Sequence, residues 1–279
     1  MAEARLRGAR IQASSGLARE VAPGERRLRE QVAACTRLLN ELGILGYSGH
    51  ISARLPGQDA FLIQSFDQSR AEVTPDDLLV CALDGSVRSG PGGGRPPAEV
   101  YLHSEVLRAR GDVQDVAHFH HETATVFTLV DGLVLRPVKN HAARWASGIP
   151  IFPDPSHISD RARGRAATRA LGPHHAMLIR AHGQVLTAES VPALFADCVH
   201  FVENAEAAYR AAVLGPIVPL SDAEVAAFLS DFDRRRHVAK LWNYYAGRAR
   251  RSGRLPDAWA GDAGGRDGEA EAVREGEAT

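Results

Sequence analysis

Lysine is nearly missing from this chain of 279 residues: Lys139 and Lys240 are the only two, and arginine supplies the rest of the 33 basic side chains. Schiff-base chemistry, which needs an amine nucleophile, therefore has very few candidates. Cysteine is scarce as well. Cys35, Cys81 and Cys198 are odd in number, far apart and set in apolar sequence (VAACTRLL, LLVCALD, FADCVHF). That pattern excludes a disulfide framework and a cysteine zinc site, and predicts small core residues. No apolar run approaches the roughly 20 residues of a membrane-spanning helix; the one around Val126 to Val134 is interrupted by Thr and Asp. The formal charge is -1, with 34 acidic residues against 33 basic, and this balance argues against nucleic acid as the main partner. The opening MAEARLRGARIQASSGLARE lacks an apolar signal core, so the cytoplasm is the expected compartment.

What remains is a globular composition, 44% hydrophobic and 24% charged, with twelve histidines. Residues 1–26 mix small and charged side chains without a sustained period, and residues 257–279 form a Gly/Glu-rich tail. Both are expected to be disordered, because neither can offset its ordering entropy by burial. Between them, Leu28, Val32, Cys35, Leu38, Leu39 and Leu42 recur at helical spacing and predict a first helix ending at Gly43. The segments HISARL, AFLIQSF and DLLVCALDGSV read as strands, the last with an Asp-Gly turn. SGPGGGRPP lacks phosphate-loop spacing and reads as a loop. Then follow a helix closing at Gly111, a strand VAHFHH entering a second helix, an extended GIPIF and a helix DRARGRAATRALG. A strand AMLIRAHGQVLTA, a helix from Val191 to Leu214 and one further helix after Pro219 complete the pattern. Interleaved strands and helices predict a single α/β domain over 27–218 with a helical extension over 219–256.

The chemistry-bearing residues lie within that domain. His118 and His120 are two apart on a predicted strand, so both imidazoles project from one face toward a common point. His182 ends an apolar strand and precedes a glycine, an apt place for a third ligand. Glu99 stands just inside a predicted helix, where the dipole favours its ionised form. Each has an ordinary surface or packing explanation when taken singly. His103, four residues after Glu99, shares its helix face and reads as surface packing. His121, His141 and His157 have no motif role, and His174, His175, His200 and His237 read as structural or exposed.

In combination, and in the order GHISAR, TPDDLLV, PPAEVYLH, VAHFHH, HISD, LIRAHGQVL and the following helix with Glu203, the chain resembles the class II aldolase/adducin family from roughly Arg27 to Leu214. The resemblance implies a three-layer α/β/α domain with a mixed, largely antiparallel sheet. It implies His118, His120 and His182 as ligands of one divalent metal ion, zinc first, with manganese, cobalt or iron as alternatives. It also implies Glu99 as the catalytic carboxylate and a homo-oligomer, expected to be a tetramer. Physically, such an ion stabilises negative charge that builds on a carbonyl oxygen as a carbon-carbon bond breaks, and a carboxylate moves the proton.

Departures from the sugar-phosphate aldolases sharpen the expected substrate. Gly49-His50, QSFDQSR and Pro97-Ala98 stand where those enzymes carry a Gly-Asn, a Thr/Ser-Gly and a Ser-Ser pair that together cradle phosphate, so most of the phosphate-binding hydroxyls are missing. The expectation is a metal-dependent carbon-carbon lyase acting on a small non-phosphorylated carboxylate, by decarboxylation of a hydroxyaromatic or oxo acid or by retro-aldol cleavage through a metal-stabilised enolate. Ser65, Ser69 and Arg70 are the candidates to hold the carboxylate, His50 is a candidate catalytic donor or acid, and Tyr244 and Tyr245 are candidate aromatic contributors from the C-terminal segment. Two alternatives stay open: a non-haem iron oxygenase of the same fold cleaving an aromatic 2-oxo acid, and a non-catalytic adducin-like scaffold.

Overall fold

A computed structural model describes residues 22–259. Residues 1–21 and 260–279, which include most of the two expected terminal segments, lie outside the described residues.

The first helix, α1 (Pro23–Glu41), begins with proline at a position where the missing N–H costs nothing, and Gly43 beyond its end takes φ +70°. The helix therefore starts inside the segment expected to be irregular up to residue 26. Strands β1 (His50–Arg54), β2 (Ala60–Ile63), β3 (Leu79–Ala82) and β4 (Val87–Ser89) follow as successive antiparallel neighbours. Next come α2 (Val100–Ala109), β5 (Asp115–Phe119), α3 (Glu122–Val126), a 3-10 helix (Asn140–Trp145), β6 (Ile151–Phe152) and α4 (Arg161–Leu171). The chain closes with β7 (Ala176–Ile179), β8 (Gly183–Ala188), α5 (Val191–Leu214), α6 (Asp222–Asp231) and α7 (Arg234–Arg251).

Two expected elements are divided. AMLIRAHGQVLTA is a hairpin, β7 and β8, because the backbone reverses at residues 180–182, where Ala181 takes φ +52°. The helix after Pro219 is α6 and α7, because the Asp233 carboxylate accepts the Arg236 N–H and starts a new helix.

The eight strands form one sheet in the order β4-β3-β2-β1-β5-β8-β7-β6, antiparallel throughout except for the parallel β6–β7 pair. Alternation along the strands divides the core in two. Ile51, Ala53, Ala117, Phe119 and Leu186 face α1, α5 and α7. Phe61, Val116, Met177 and Val185 face α2 and α4. The expected three-layer α/β/α architecture with a mixed, largely antiparallel sheet is therefore the one observed. Cys35, Cys81 and Cys198 are free thiols buried in it. No helix among the described residues is long and apolar enough to cross a membrane.

Candidate active site

Register brings the site together. β1 and β5 pair His50 with His118, and β5 pairs His118 with Val185 of β8. His118 thus projects from the middle of the sheet on the α2 side, the same side as Val116, and is fully buried. His120 follows two residues later on the same side, and His182 enters from the β7–β8 turn. Glu99 is the residue immediately before α2, with non-helical φ -97° and ψ 26°, rather than inside the helix.

The four side chains converge. His118 Nε2 lies 2.9 Å from His120 Nε2 and 3.0 Å from Glu99 Oε2, and His182 Nε2 lies 3.7 Å from the same carboxylate oxygen. One ligand atom from each of the four falls within 4.8 Å of the others. For two of the three histidines the opposite ring nitrogen is engaged: His118 Nδ1 donates to the Gln184 carbonyl at 3.0 Å, and His120 Nδ1 lies 3.0 Å from Ser48 Oγ. Contacts of this kind orient the rings of metal-binding histidines and leave Nε2 directed at the shared point. Burial first, and then neighbouring imidazoles, lowers His120 to about 4 and lowers His182. Both are neutral at pH 7, the form that binds metals. Burial alone would raise the Glu99 carboxyl, but the His118 imidazole and hydrogen bonds from His118 and the Ile158 N–H outweigh it and hold Glu99 well below the usual carboxylate range. Three imidazoles and one ionised carboxylate fit a divalent transition metal.

Behind the four runs a buried chain of hydrogen bonds. Ser52 Oγ lies 2.7 Å from His103 Nδ1, and His103 Nε2 lies 2.7 Å from His50 Nδ1. His50 Nε2 is left facing Glu99 Oε2 at 4.0 Å, and the carboxylate favours a proton on that nitrogen. His103 is therefore fully buried rather than part of the surface, and it acts on His50 instead of touching Glu99. Burial and neighbouring imidazoles push His103 down to about 3 and His50 well below its ordinary value, so both rings are neutral.

His50, Glu99, His120 and His182 border a cavity of about 610 Å³, lined also by Tyr47, Ser48, Phe66, Arg70, Pro97, Ala98 and His157. Arg70 is buried and structurally engaged: Nε donates to the Gly49 carbonyl at 2.6 Å, and Nη1 donates to those of Ser65 and Gln68. Burial lowers it only to about 10, so it remains a cation. Ser65 and Ser69 are not on the cavity wall; Ser65 Oγ donates to the Arg95 carbonyl at 3.2 Å, and Ser69 is exposed. Nor does the chain bring its own Tyr244 and Tyr245 to the cavity. Both belong to α7, on the other side of the sheet, where Tyr245 packs on Phe195. Tyr47, Phe66 and His157 are given no role by the sequence, although His157 opens HISD and Phe66 lies in QSFDQSR; their convergence on the cavity reveals them.

The profile of the Class II Aldolase and Adducin N-terminal domain matches residues 30–209. The chain is 30% identical over 175 residues to the 3,4-dihydroxyphthalate decarboxylase of Arthrobacter keyseri, covering 58% of this chain and 70% of that relative. It is 28% identical over 161 residues to the methylthioribulose-1-phosphate dehydratase of Alcanivorax borkumensis, covering 53% and 74%. Its fold superposes on an aldolase II superfamily protein from Pseudomonas syringae with a TM-score of 0.75 and 24% identity, over 84% of this chain and 96% of the other. The chain belongs to the class II aldolase and adducin family and is one of its lyases.

Proposed function

We propose that the chain is a metal-dependent decarboxylase of a small, non-phosphorylated hydroxyaromatic acid. The observation that carries this reading is the convergence of three imidazoles and one carboxylate beside a cavity whose wall contains the buried cation Arg70. His118, His120 and His182 would hold one divalent ion, with zinc ahead of manganese, cobalt and iron, and Glu99 stands close enough to be a fourth ligand. When bound, the ion supplies a Lewis acid that stabilises negative charge on a substrate oxygen.

The chain's own groups account for the remaining steps. Arg70 faces the substrate carboxylate and sets its orientation, and the small side chains of Pro97 and Ala98 leave room for a planar ring. Glu99 accepts the proton of a substrate hydroxyl and returns it to the carbon that has lost carbon dioxide. His50, held by His103 and Ser52, steadies the Glu99 carboxylate through Nε2–H. Ser65 and Ser69 are absent from the cavity wall, so Arg70 is the member of that segment that can meet a carboxylate. The similarity to a dihydroxyphthalate decarboxylase supports the same substrate class.

The proposed assembly is a cytoplasmic homotetramer. Tyr244 is 59% exposed on the face away from its own cavity, so it and Tyr245 could serve a cavity only in another copy. The test of function is a substrate panel of hydroxyaromatic acids, oxo acids and sugar phosphates, followed by carbon dioxide release, aldehyde formation and oxygen uptake. Carbon dioxide from hydroxyaromatic acids is expected. Turnover of sugar phosphates alone would refute the carboxylate reading, and oxygen uptake on an aromatic 2-oxo acid would replace it with an iron oxygenase.

A further inference from the structure

The catalytic cavity leaves a second group of histidines unused. His141 in the 3-10 helix, His200 in α5 and His237 in α7 come from distant parts of the sequence and meet on the α5 side of the sheet. The His141 ring centroid lies 4.4 Å from that of His200 and 4.3 Å from that of His237. His200 Nε2 and His237 Nε2 are 2.8 Å apart. One ring nitrogen from each of the three falls within 4.8 Å of the other two.

Their surroundings prepare lone pairs. His200 Nδ1 donates to Glu203 Oε2 at 3.5 Å, and the same carboxylate oxygen pairs with Lys139 Nζ at 2.8 Å. A carboxylate on Nδ1 fixes the tautomer and turns the Nε2 lone pair toward His237, the arrangement that accompanies metal-ligating imidazoles. His141 Nδ1 is buried without a hydrogen-bond partner. Burial first, and then the neighbouring imidazoles, lowers His141 to about 4, and His237 is lowered as well. Both rings are neutral at pH 7. Phe228 and Phe232 pack against His141, and with the three histidines they line a cavity of about 290 Å³.

We infer that His141, His200 and His237 form a second divalent metal site, separate from the catalytic cavity and suited to zinc. An all-imidazole set matches zinc, nickel or copper and does not match magnesium or calcium, which take oxygen ligands. Zinc–nitrogen bonds of about 2.0–2.1 Å place tetrahedral ligands about 3.3 Å apart, so His200 and His237 need to separate by only about 0.5 Å. Three ligands leave a fourth position open toward the cavity. The ion joins α7 to α5 and the 3-10 helix, and through Phe228 and Phe232 it also secures α6. That helix needs such an anchor, since it buries none of its side chains.

The test counts zinc per chain by elemental analysis in tag-free protein equilibrated with zinc and then freed of loose ion, for wild type, His120→Ala, His237→Gln and His141→Gln. Circular dichroism reports folding, and the two glutamine variants change different elements, so misfolding of one leaves the other to decide. Two ions in the wild type are expected, one lost in His120→Ala and the other in His237→Gln and His141→Gln. A single ion lost only in the glutamine variants supports this site and refutes the catalytic one. A single ion lost only in His120→Ala, or two ions retained by a folded glutamine variant, overturns the second site and leaves the catalytic reading intact.

Discussion

Gly183 is the position at which a single methyl group should separate folding from function. It opens β8 directly after His182, and a Cβ built there meets the Phe119 carbonyl oxygen at 2.5 Å and His120 Cδ2 at 2.7 Å. The first contact is about 0.9 Å inside the 3.4 Å at which such contacts become ordinary. It is made by the backbone of β5 and cannot be relieved by a rotamer change. Gly183→Ala must therefore displace β8 from β5, carrying His182 away from His118 and His120. Overpacking of this kind costs about 1–3 kcal/mol, and Tm falls by roughly 2–4 °C per kcal/mol in a chain of this size. A shift near 1 Å at a catalytic constellation costs about 100-fold in rate. The assay measures kcat/KM and zinc affinity well below Tm, where circular dichroism shows the variant to be folded. Both are expected to fall together by about 100-fold. A folded Gly183→Ala enzyme with wild-type zinc affinity and turnover within twofold would refute the claim that this close approach sets the ligand geometry.

Other expected outcomes concern single side chains. Glu99→Gln keeps the three imidazoles and loses the proton carrier, so kcat should fall by about 10²–10⁴ with the metal still bound; unchanged kcat would remove Glu99 from proton transfer. His103→Phe breaks the chain from Ser52 to His50, and it should lower kcat and move its pH profile with little effect on KM, whereas a purely structural residue would leave the profile of the folded fraction unchanged. Asp115 is buried in β5, and its carboxyl is raised well above the ordinary range by desolvation and then by Glu189. A raised folded value means that stability is lost as pH rises from the unfolded carboxylate value of about 3.9 through the folded one. Asp115→Asn should therefore raise Tm at pH 7–8, and the gain should vanish on acidification; a loss at neutral pH would contradict this sign.

Much of the site was legible because its signals are local. Two histidines at strand spacing, a histidine before glycine and a carboxylate at a helix start each occupy a short segment, and β5, the β7–β8 turn and the start of α2 bring them to one point. What was not legible depends on pairing between distant segments. His103 looked like a surface residue because its spacing from Glu99 defines a helix face and says nothing of β1, which covers that face with His50 and Ser52. Ser65 and Ser69 are near Arg70 in sequence, but Arg70 turns inward to three backbone carbonyls while the serines remain outside the cavity. Tyr244 and Tyr245 are candidates through the resemblance, which places an aromatic C-terminal segment at subunit contacts, and α7 holds them in the layer opposite the cavity of their own chain. His141, His200 and His237 have no common motif at all, and only the tertiary fold joins them.

The most direct test of the catalytic site is metal reconstitution followed by carbon dioxide release. Protein stripped by a chelator should be inactive on hydroxyaromatic acids, and activity should return in proportion to a divalent ion whose binding needs His118, His120 and His182. His120→Ala, folded and given the same ion, should remain inactive. Full turnover by the stripped protein, or unchanged metal binding and activity in His120→Ala, would contradict a metal-dependent lyase centred on these residues.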